Sequence, residues 1–385
     1  MSAEQNPAVS VIVPARNEEA CLASCLESLV AQSGIDFEII VVDDASTDRT
    51  AEIARSFSPS RVGAGTLSRP SAAEDVRDHA RDGDTKQHCS GFTVISAPPL
   101  PENWTGKNNA MAAGAKIAKG KWLLFTDADT VHKPGSLVRA VAEAEEHAAA
   151  LLSYSPEQEV RTFWEKAVMP VIFAELAATY PPQEVNDPAS PIAAANGQYL
   201  LISRKAYDAV GGHTKIASSL LEDVALAGLV KSSGRKIFFR YGGDAVRTRM
   251  YRTWSQMKDG WTKNLALLFP RLRALALART AEFSLILGGL LAGILAFVLD
   301  RDQLGWTAIF LAFVVASWAW TRVRRAHFPF TSNLLALGGL GVFAYLLLAS
   351  DVRHRKREVS WKGRSYAGTA SKEPPSTRHA SSAEP

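Results

Sequence analysis

Residues 38–54 read EIIVVDDASTDRTAEIA. An uninterrupted β-branched run of this length suits a strand buried on both faces, and a helix from Thr50 follows after one acidic turn. The same order recurs on either side. Upstream, the apolar run 9–13 ends at Pro14 and leads through Arg16 and Glu18 to Cys21, Leu22, Cys25, Leu26, Leu29 and Val30 at helical spacing. Downstream come a strand at 92–95, a helix over 108–118 and a strand at 122–125 that runs into Thr126-Asp127-Ala128-Asp129. The alternation predicts an α/β fold, a mostly parallel sheet with helices on both faces. Ligands of such sheets bind beyond the carboxyl ends of the strands. Here those ends carry Glu18, Glu19, Asp43, Asp44, Asp48, Asp127 and Asp129. Three acidic loops on one edge repel each other unless something positive lies among them, and a divalent cation with a phosphorylated ligand meets that need.

Familiar phosphate motifs fail on context. Gly63-Ala64-Gly65 lies in a polar stretch rather than between strand and helix, and Gly114 to Gly120-Lys121 has the wrong spacing, lacks Ser or Thr and precedes a strand. A dinucleotide-binding dehydrogenase and a P-loop ATPase are thereby disfavoured. Cys21 and Cys25 stand one turn apart on a buried face; core packing is preferred to a metal pair because no other ligand cluster accompanies them. Asp127 and Asp129, two apart in a chain leaving a strand, are expected on one face if the chain stays extended, able to share Mg²⁺ or Mn²⁺ or to divide a cation and a ribose hydroxyl. Alone, such a pair more often marks a turn or a helix N-cap; following a buried strand, with DDASTD on the preceding edge, it favours a binding role.

Taken together, VSVIVPARNEE, EIIVVDDASTDRTAEIA and GKNNAMAAGAKIAKGKWLLFTDAD resemble the nucleotide-sugar motifs of family 2 glycosyltransferases, which have the GT-A fold, and the likeness extends to Leu220–Asp223 and covers about residues 8–265. WTGK at 104–107 and MYRTWSQMKDGWTKN resemble the membrane-bound bacterial branch with hopanoid-associated and carotenoid glycosyltransferases. The resemblance implies that Pro14, Arg16, Glu18 and Asp44 hold the base and ribose of a nucleotide-sugar donor, a UDP-sugar. Asp43 is the alternative to Asp44, or a helix cap. Lys107 approaches carboxylates or phosphates at the nucleotide, Asp127 binds ribose or sugar and shares the metal site, and Asp129 binds the Mg²⁺ or Mn²⁺. Asp223 is the general base that takes the acceptor's proton in a single, inverting displacement; an Asp serving a helix N-terminus is the alternative. His213, after Gly211-Gly212, reads as a turn histidine before a metal ligand. Arg252, Trp254, Gln256 and Trp261 carry the residue types of a processive synthase's signature but not its order, which favours transfer of one sugar to a lipid acceptor. A processive polysaccharide synthase and a non-catalytic membrane scaffold are the competing readings.

The 385 residues hold 43 Lys and Arg against 39 Asp and Glu, and three Cys. Near-neutral charge excludes a nucleic-acid-coating protein, and three cysteines exclude a disulfide scaffold. The mean hydropathy of −0.03 averages unlike parts. Residues 1–280 form the expected cytosolic domain, with 58–91 as a polar, mobile insertion and no signal peptide in front. Residues 281–350 form a membrane domain, since 283–299, 304–320 and 328–350 hold no charge. Residues 351–385 are a basic to disordered tail. The chain is thus expected at the cell membrane, multi-pass, with its catalytic domain cytoplasmic. Arg271, Arg273 and Arg279, then Arg322, Arg324 and Arg325, mark one side as cytoplasmic. A third full span would place Arg353, Arg355, Lys356 and Arg357 outside, against the positive-inside rule. Two spans or three therefore remain open, with the third segment a candidate for an interfacial or re-entrant course. Residues 163–180 suit either a core helix or one lying on the membrane.

Overall fold

The computed structural model describes residues 6–58, 89–358, 360, 361, 364 and 365. The polar insertion falls, except at its edges, outside the described residues, and so does most of the tail. The elements begin with β1 (Val9–Ala15), α1 (Leu22–Val30), β2 (Phe37–Asp43), α2 (Thr50–Ser56), β3 (Cys89–Ser96), α3 (Gly106–Ile117) and β4 (Trp122–Phe125). Then come β5 (Thr130–His132), α4 (Ser136–Glu146), β6 (Leu151–Ser155), β7 (Glu157–Gln158), α5 (Phe163–Thr179), α6 (Pro182–Asn186) and β8 (Leu200–Ser203). They continue with α7 (Arg204–Ala209), α8 (Gly212–Lys215), α9 (Glu222–Ser232), β9 (Ile237–Tyr241), β10 (Val246–Thr248) and α10 (Trp254–Leu268). Last are α11 (Leu272–Val298), α12 (Asp302–Val323) and α13 (Phe330–Lys356).

Two compact units result. The first comprises Met1–Pro156, Ala195–Ala217 and Ser232–Arg247, so far as they are described. Its seven-stranded sheet has the order β3-β2-β1-β4-β8-β6-β9. β1 pairs in parallel with β2 and β4, β2 with β3, and β6 with β9, whereas β8 runs antiparallel to β4 and β6. The expected mostly parallel sheet is present. Chain order reverses about β1, with β2 on one side and β4 on the other, which is where such sheets open a crevice.

Apolar runs make central strands because both faces are covered. Val9, Val11 and Val13 pack with Leu22, Cys25, Leu26 and Leu29 of α1 and with Leu137 and Ala140 of α4. The opposite face meets α3, where a Cβ on Gly114 would stand 2.6 Å from Ile12 Cγ2 and 3.1 Å from Val42 Cγ2. Both are branch methyls locked in the sheet. Gly114→Ala is expected to cost about 1–3 kcal/mol, read as a lower midpoint of thermal unfolding. Pro14 is tolerated inside β1 because β4 pairs with that strand only as far as Ile12.

The second unit comprises Glu157–Ala194, Ser218–Lys231 and Thr248–Pro385, again so far as described. Residues 163–180 resolve as a core helix: α5 buries Ala167 to Ile172 and brings the Ala167 carbonyl against Gly339 of α13, leaving no room for a Cβ there. A capping box starts it, with Thr162 and Glu165 each bonding the other's backbone, and Arg249 pairs with Glu165 at 3.0 Å. Three helices, α11, α12 with the short 3-10 turn after it, and α13, are long and apolar enough to cross a membrane. They outrun the uncharged segments. Residues 351–356, expected in the tail, are the last turns of α13.

Candidate functional site

Two loops at the carboxyl edge are laced together. Arg16 Nη1 donates to Asp44 O at 2.6 Å and Ala45 O at 3.3 Å. Asn17 N donates to Ser46 Oγ at 3.1 Å, and Asn17 Oδ1 accepts from Thr47 N at 2.8 Å. Glu18 N donates to Thr50 Oγ1 at 2.7 Å, Glu19 N to Asp48 Oδ2 at 3.1 Å, and Arg49 N returns a bond to Glu19 Oε2 at 3.1 Å. Asn17 and Ala45 take positive φ, 52° and 56°. A left-handed Ala costs roughly 1–2 kcal/mol, strain that persists only where surrounding bonds impose it.

Within the second loop the acids divide their work. Asp43 Oδ1 accepts from Ser46 N at 3.3 Å, tying the turn. Asp48, not Asp43, takes the first N–H of α2, accepting from Thr50 N at 3.0 Å, while Arg49 at the N-cap makes no side-chain capping bond. Burial opposes the Asp48 charge, but bonds from Thr50 and Glu19 outweigh it and hold the carboxyl below its ordinary value. Asp44 is almost wholly buried, its N–H donating to Ala15 O at 2.8 Å.

The start of α3 is a second polar assembly. Thr105 Oγ1 accepts from Asn108 N at 3.1 Å as the N-cap. Asn108 Nδ2 donates to the carbonyls of Ile216 and Ala217, both at 2.9 Å, and Asn109 Nδ2 to Pro98 O at 2.8 Å. Lys107 follows in the first turn of α3, its side chain about a third exposed. Its Nζ lies 2.7 Å from Asp127 Oδ1.

After β4 the chain departs from expectation. Thr130 N donates to Asp127 O at 3.2 Å, so 127–130 closes a turn and the alternation argument for Asp127 and Asp129 does not apply. The buried Cys25 thiol bonds Asp127 O at 3.8 Å, and it is pushed far up, first by burial, then by the negative charges of Asp129, Asp127 and Glu18. Acids that follow β1 and β4 thus act on one buried sulfur. Cys21, half-buried, lies ahead of the first turn of α1 and bonds Glu18 Oε2 at 3.2 Å, so the two cysteines do not share the fully buried face.

Two histidines are structural. His132 is buried, pushed down to about 3 by desolvation, and its Nε2 bonds Thr126 Oγ1 at 3.1 Å. His213 Nδ1 bonds Tyr207 OH at 2.9 Å while its ring meets Phe125 edge-on at 4.6 Å between centroids. His213 thus follows the left-handed Gly211 and Gly212 and is hydrogen-bonded in place.

Asp127 and Asp129 offer hard oxygen donors with one ammonium beside them. Among the described residues no group of three or more His, Cys, Asp or Glu side chains could hold a metal. A Mg²⁺- or Mn²⁺-type site of one or two carboxylates, completed by substrate phosphates, needs no such group, so the donor set fits.

Asp223 belongs to the second unit. It occupies the first turn of α9, where Oδ1 accepts from Val224 N at 2.8 Å, and Tyr180's phenol is raised by burial and then by Asp223's charge. At the far end of α9, Lys231 Nζ donates to Glu184 O, Val185 O and Ile192 O at 3.1, 2.8 and 2.5 Å. The lacing residues Asn17, Ser46, Thr47 and Thr50, and the buried Asn108 and Asn109, escaped sequence reasoning. Asp48-x-Thr50 and Thr105-x-x-Asn108 are the capping patterns that signal two of these contacts.

Residues 10–70 and 84–211 match the family model described as glycosyl transferase family 2. These residues form a family 2 glycosyltransferase domain. This glycosyltransferase is 26% identical over 373 residues to the 4,4'-diaponeurosporenoate glycosyltransferase of Staphylococcus aureus (strain MRSA252), covering 94% of this chain and 88% of that protein. Among solved structures it is similar to the mannosyltransferase PcManGT from Pyrobaculum calidifontis in complex with GDP-Man and Mn²⁺, at TM-score 0.48 and 15% identity, covering 91% and 88% of the two chains. It is also similar to glucosyl-3-phosphoglycerate synthase from Mycobacterium tuberculosis with Mn²⁺ and UDP, at TM-score 0.37 and 19% identity, covering 65% and 75%. The first unit is α/β, with a mostly parallel seven-stranded sheet.

Proposed function

We propose that this glycosyltransferase moves a single sugar from a nucleotide-sugar donor, a UDP-sugar, to a membrane lipid, with inversion and with a divalent cation. The pairing of Lys107 with Asp127 at 2.7 Å carries the reading, and the charges of Glu18, Asp127 and Asp129 acting on buried Cys25 support it. Pro14, Arg16, Glu18 and Asp44 line the edge for base and ribose. Lys107 serves the phosphates, and Asp127 turns to ribose or sugar and helps Asp129 hold Mg²⁺ or Mn²⁺. The cation, when bound, neutralises charge on the departing diphosphate. The acceptor oxygen attacks the anomeric carbon in line, and Asp223 takes its proton. The diaponeurosporenoate of the relative's name supports an apolar, carotenoid-like acceptor, and the apolar helices support a catalytic domain held at the cytoplasmic side of the cell membrane.

The test uses the purified full chain, UDP- and GDP-sugars, Mg²⁺ or Mn²⁺, and lipid alcohols or carotenoid acids. One sugar per lipid is expected, lost on chelation. Asp129→Ala should also weaken Mn²⁺-dependent UDP binding by calorimetry; unchanged binding sinks the metal assignment. Long saccharide products would replace the reading by a polysaccharide synthase, and no turnover of any donor by a scaffold.

A further inference from the structure

α11 and α12 form an antiparallel hairpin whose levels can be read residue by residue. A Cβ on Gly293 would stand 2.6 Å from Ile309 Cγ1, one on Gly289 2.9 Å from Ala312 Cβ, and one on Gly305 2.6 Å from Phe297 Cε1. At the other end Arg322 Nη2 pairs with Glu282 Oε2 at 2.7 Å. The tip is therefore at 299–302 and the base at Arg271–Glu282 and Arg322. A helix that crossed beside this hairpin would start at the base and finish at the tip.

α13 does neither. Its first residue, Phe330, meets Trp320 edge-on in the last turns of α12, with ring centroids 5.2 Å apart. Its middle, Gly341, meets Phe283, a Cβ there standing 3.1 Å from that ring. Its end returns to the start of α11, where Asp351 Oδ2 pairs with Arg273 Nε at 3.0 Å. At 1.5 Å per residue α13 is about 40 Å long, yet start and end both lie at the hairpin base. In its most apolar window 44% of residues are buried, against 11% in α11 and 17% in α12. The hairpin beyond Phe283 is bare, with Leu291, Leu295, Phe310 and Phe313 about 58–66% exposed.

We propose that α13 lies along the bilayer surface, so that the chain crosses only twice and both ends of α13 remain on one face. The exposed apolar residues Phe330, Leu334, Tyr345, Leu348 and Val352 form the lipid-contacting stripe. At 100° per residue they fall within an arc of about 60°, opposite the buried Gly339, Phe343, Leu347 and Ser350. The stripe begins at Phe330, whose ring meets Trp320 of the hairpin, and this junction with the apolar hairpin makes lipid its occupant. The arrangement also removes the charge conflict. Arg271, Arg273, Arg324, Arg325, Arg353, Arg355, Lys356 and Arg357 all fall on the base side, where anionic headgroups attract them, and the tip holds Asp300, Arg301 and Asp302.

Single cysteines at exposed Arg325, Gln303 and Glu358 in the full chain, labelled with a membrane-impermeant maleimide in intact spheroplasts and in inverted vesicles, test this. Label is counted above that of the unsubstituted chain. Arg325→Cys and Glu358→Cys are expected to react from one face and Gln303→Cys from the other. Opposite faces for 325 and 358 would establish a third crossing, and a common face for 303 and 325 would remove the first two; either overturns the proposal. Spin labels at Leu334→Cys and Leu348→Cys should report similar depths, whereas a crossing helix would separate them by about 21 Å.

Discussion

Asp223→Asn is expected to slow sugar transfer to a lipid alcohol by roughly 10²–10⁴-fold, with donor binding and unfolding midpoint nearly unchanged. The substitution keeps shape. An Asn Oδ1 can still accept from Val224 N, the bond that Asp223 makes at 2.8 Å in the first turn of α9. What disappears is the charge and the ability to take a proton. If Asp223 only complemented the helix N-terminus, its loss would cost about 0.3–1 kcal/mol of stability and leave turnover nearly intact. The two roles therefore separate on different axes, kcat against thermal midpoint. A carboxylate acceptor arrives without a proton to lose, so the same substitution should cost it much less. Comparing acceptors on one variant thus reads both the base and the nature of the attacking oxygen. An equal, small effect on every acceptor would remove Asp223 from the chemistry.

Strands were legible where burial on both faces leaves little choice of residue. The runs at 9–13, 38–42 and 122–125 are strands, and each ends where acidic residues begin. Sequence proximity also disclosed the acids themselves. The lacing between the loops was not legible, since its bonds join residues 28–32 positions apart and any polar loop residue could supply them. The turn at 127–130 defeated a pattern argument that assumed extended backbone. Windows of uncharged residues likewise began at Phe283 and so cut off Glu282, one residue earlier. Hydropathy and length cannot distinguish a helix across a bilayer from one along its surface; the contacts of Phe330 and Asp351 can.

Glu282→Ala is expected to destabilise the second unit by about 3–5 kcal/mol, seen as a large fall in the unfolding midpoint of the detergent-solubilised chain. Glu282 Oε2 accepts from Arg279 Nη1 and from Arg322 Nη2, the latter at 2.7 Å, and Glu175 Oε1 lies 3.3 Å from Arg279 Nε and 3.0 Å from Arg322 Nε. The four side chains are at most 14% exposed, so water screens them little. Trp318 lies under both guanidinium groups, with centroid distances of 4.8 Å for Arg322 and 5.8 Å for Arg279. Two acids and two bases balance, and three helices, α5, α11 and α12, meet in the balance. Removing one acid leaves two guanidinium groups sharing one carboxylate in a site built to exclude water. The cost arises from that unpaired charge rather than from lost attraction, since burying the intact set already required desolvating all four groups. Pairing Glu282→Ala with Arg322→Leu should therefore recover part of the loss. Replacing all four by Leu should be neutral or stabilising by about 1–4 kcal/mol. A single substitution costing under about 1 kcal/mol would mean that the four charges behave as exposed surface pairs, and the helices would then owe their junction to apolar packing alone.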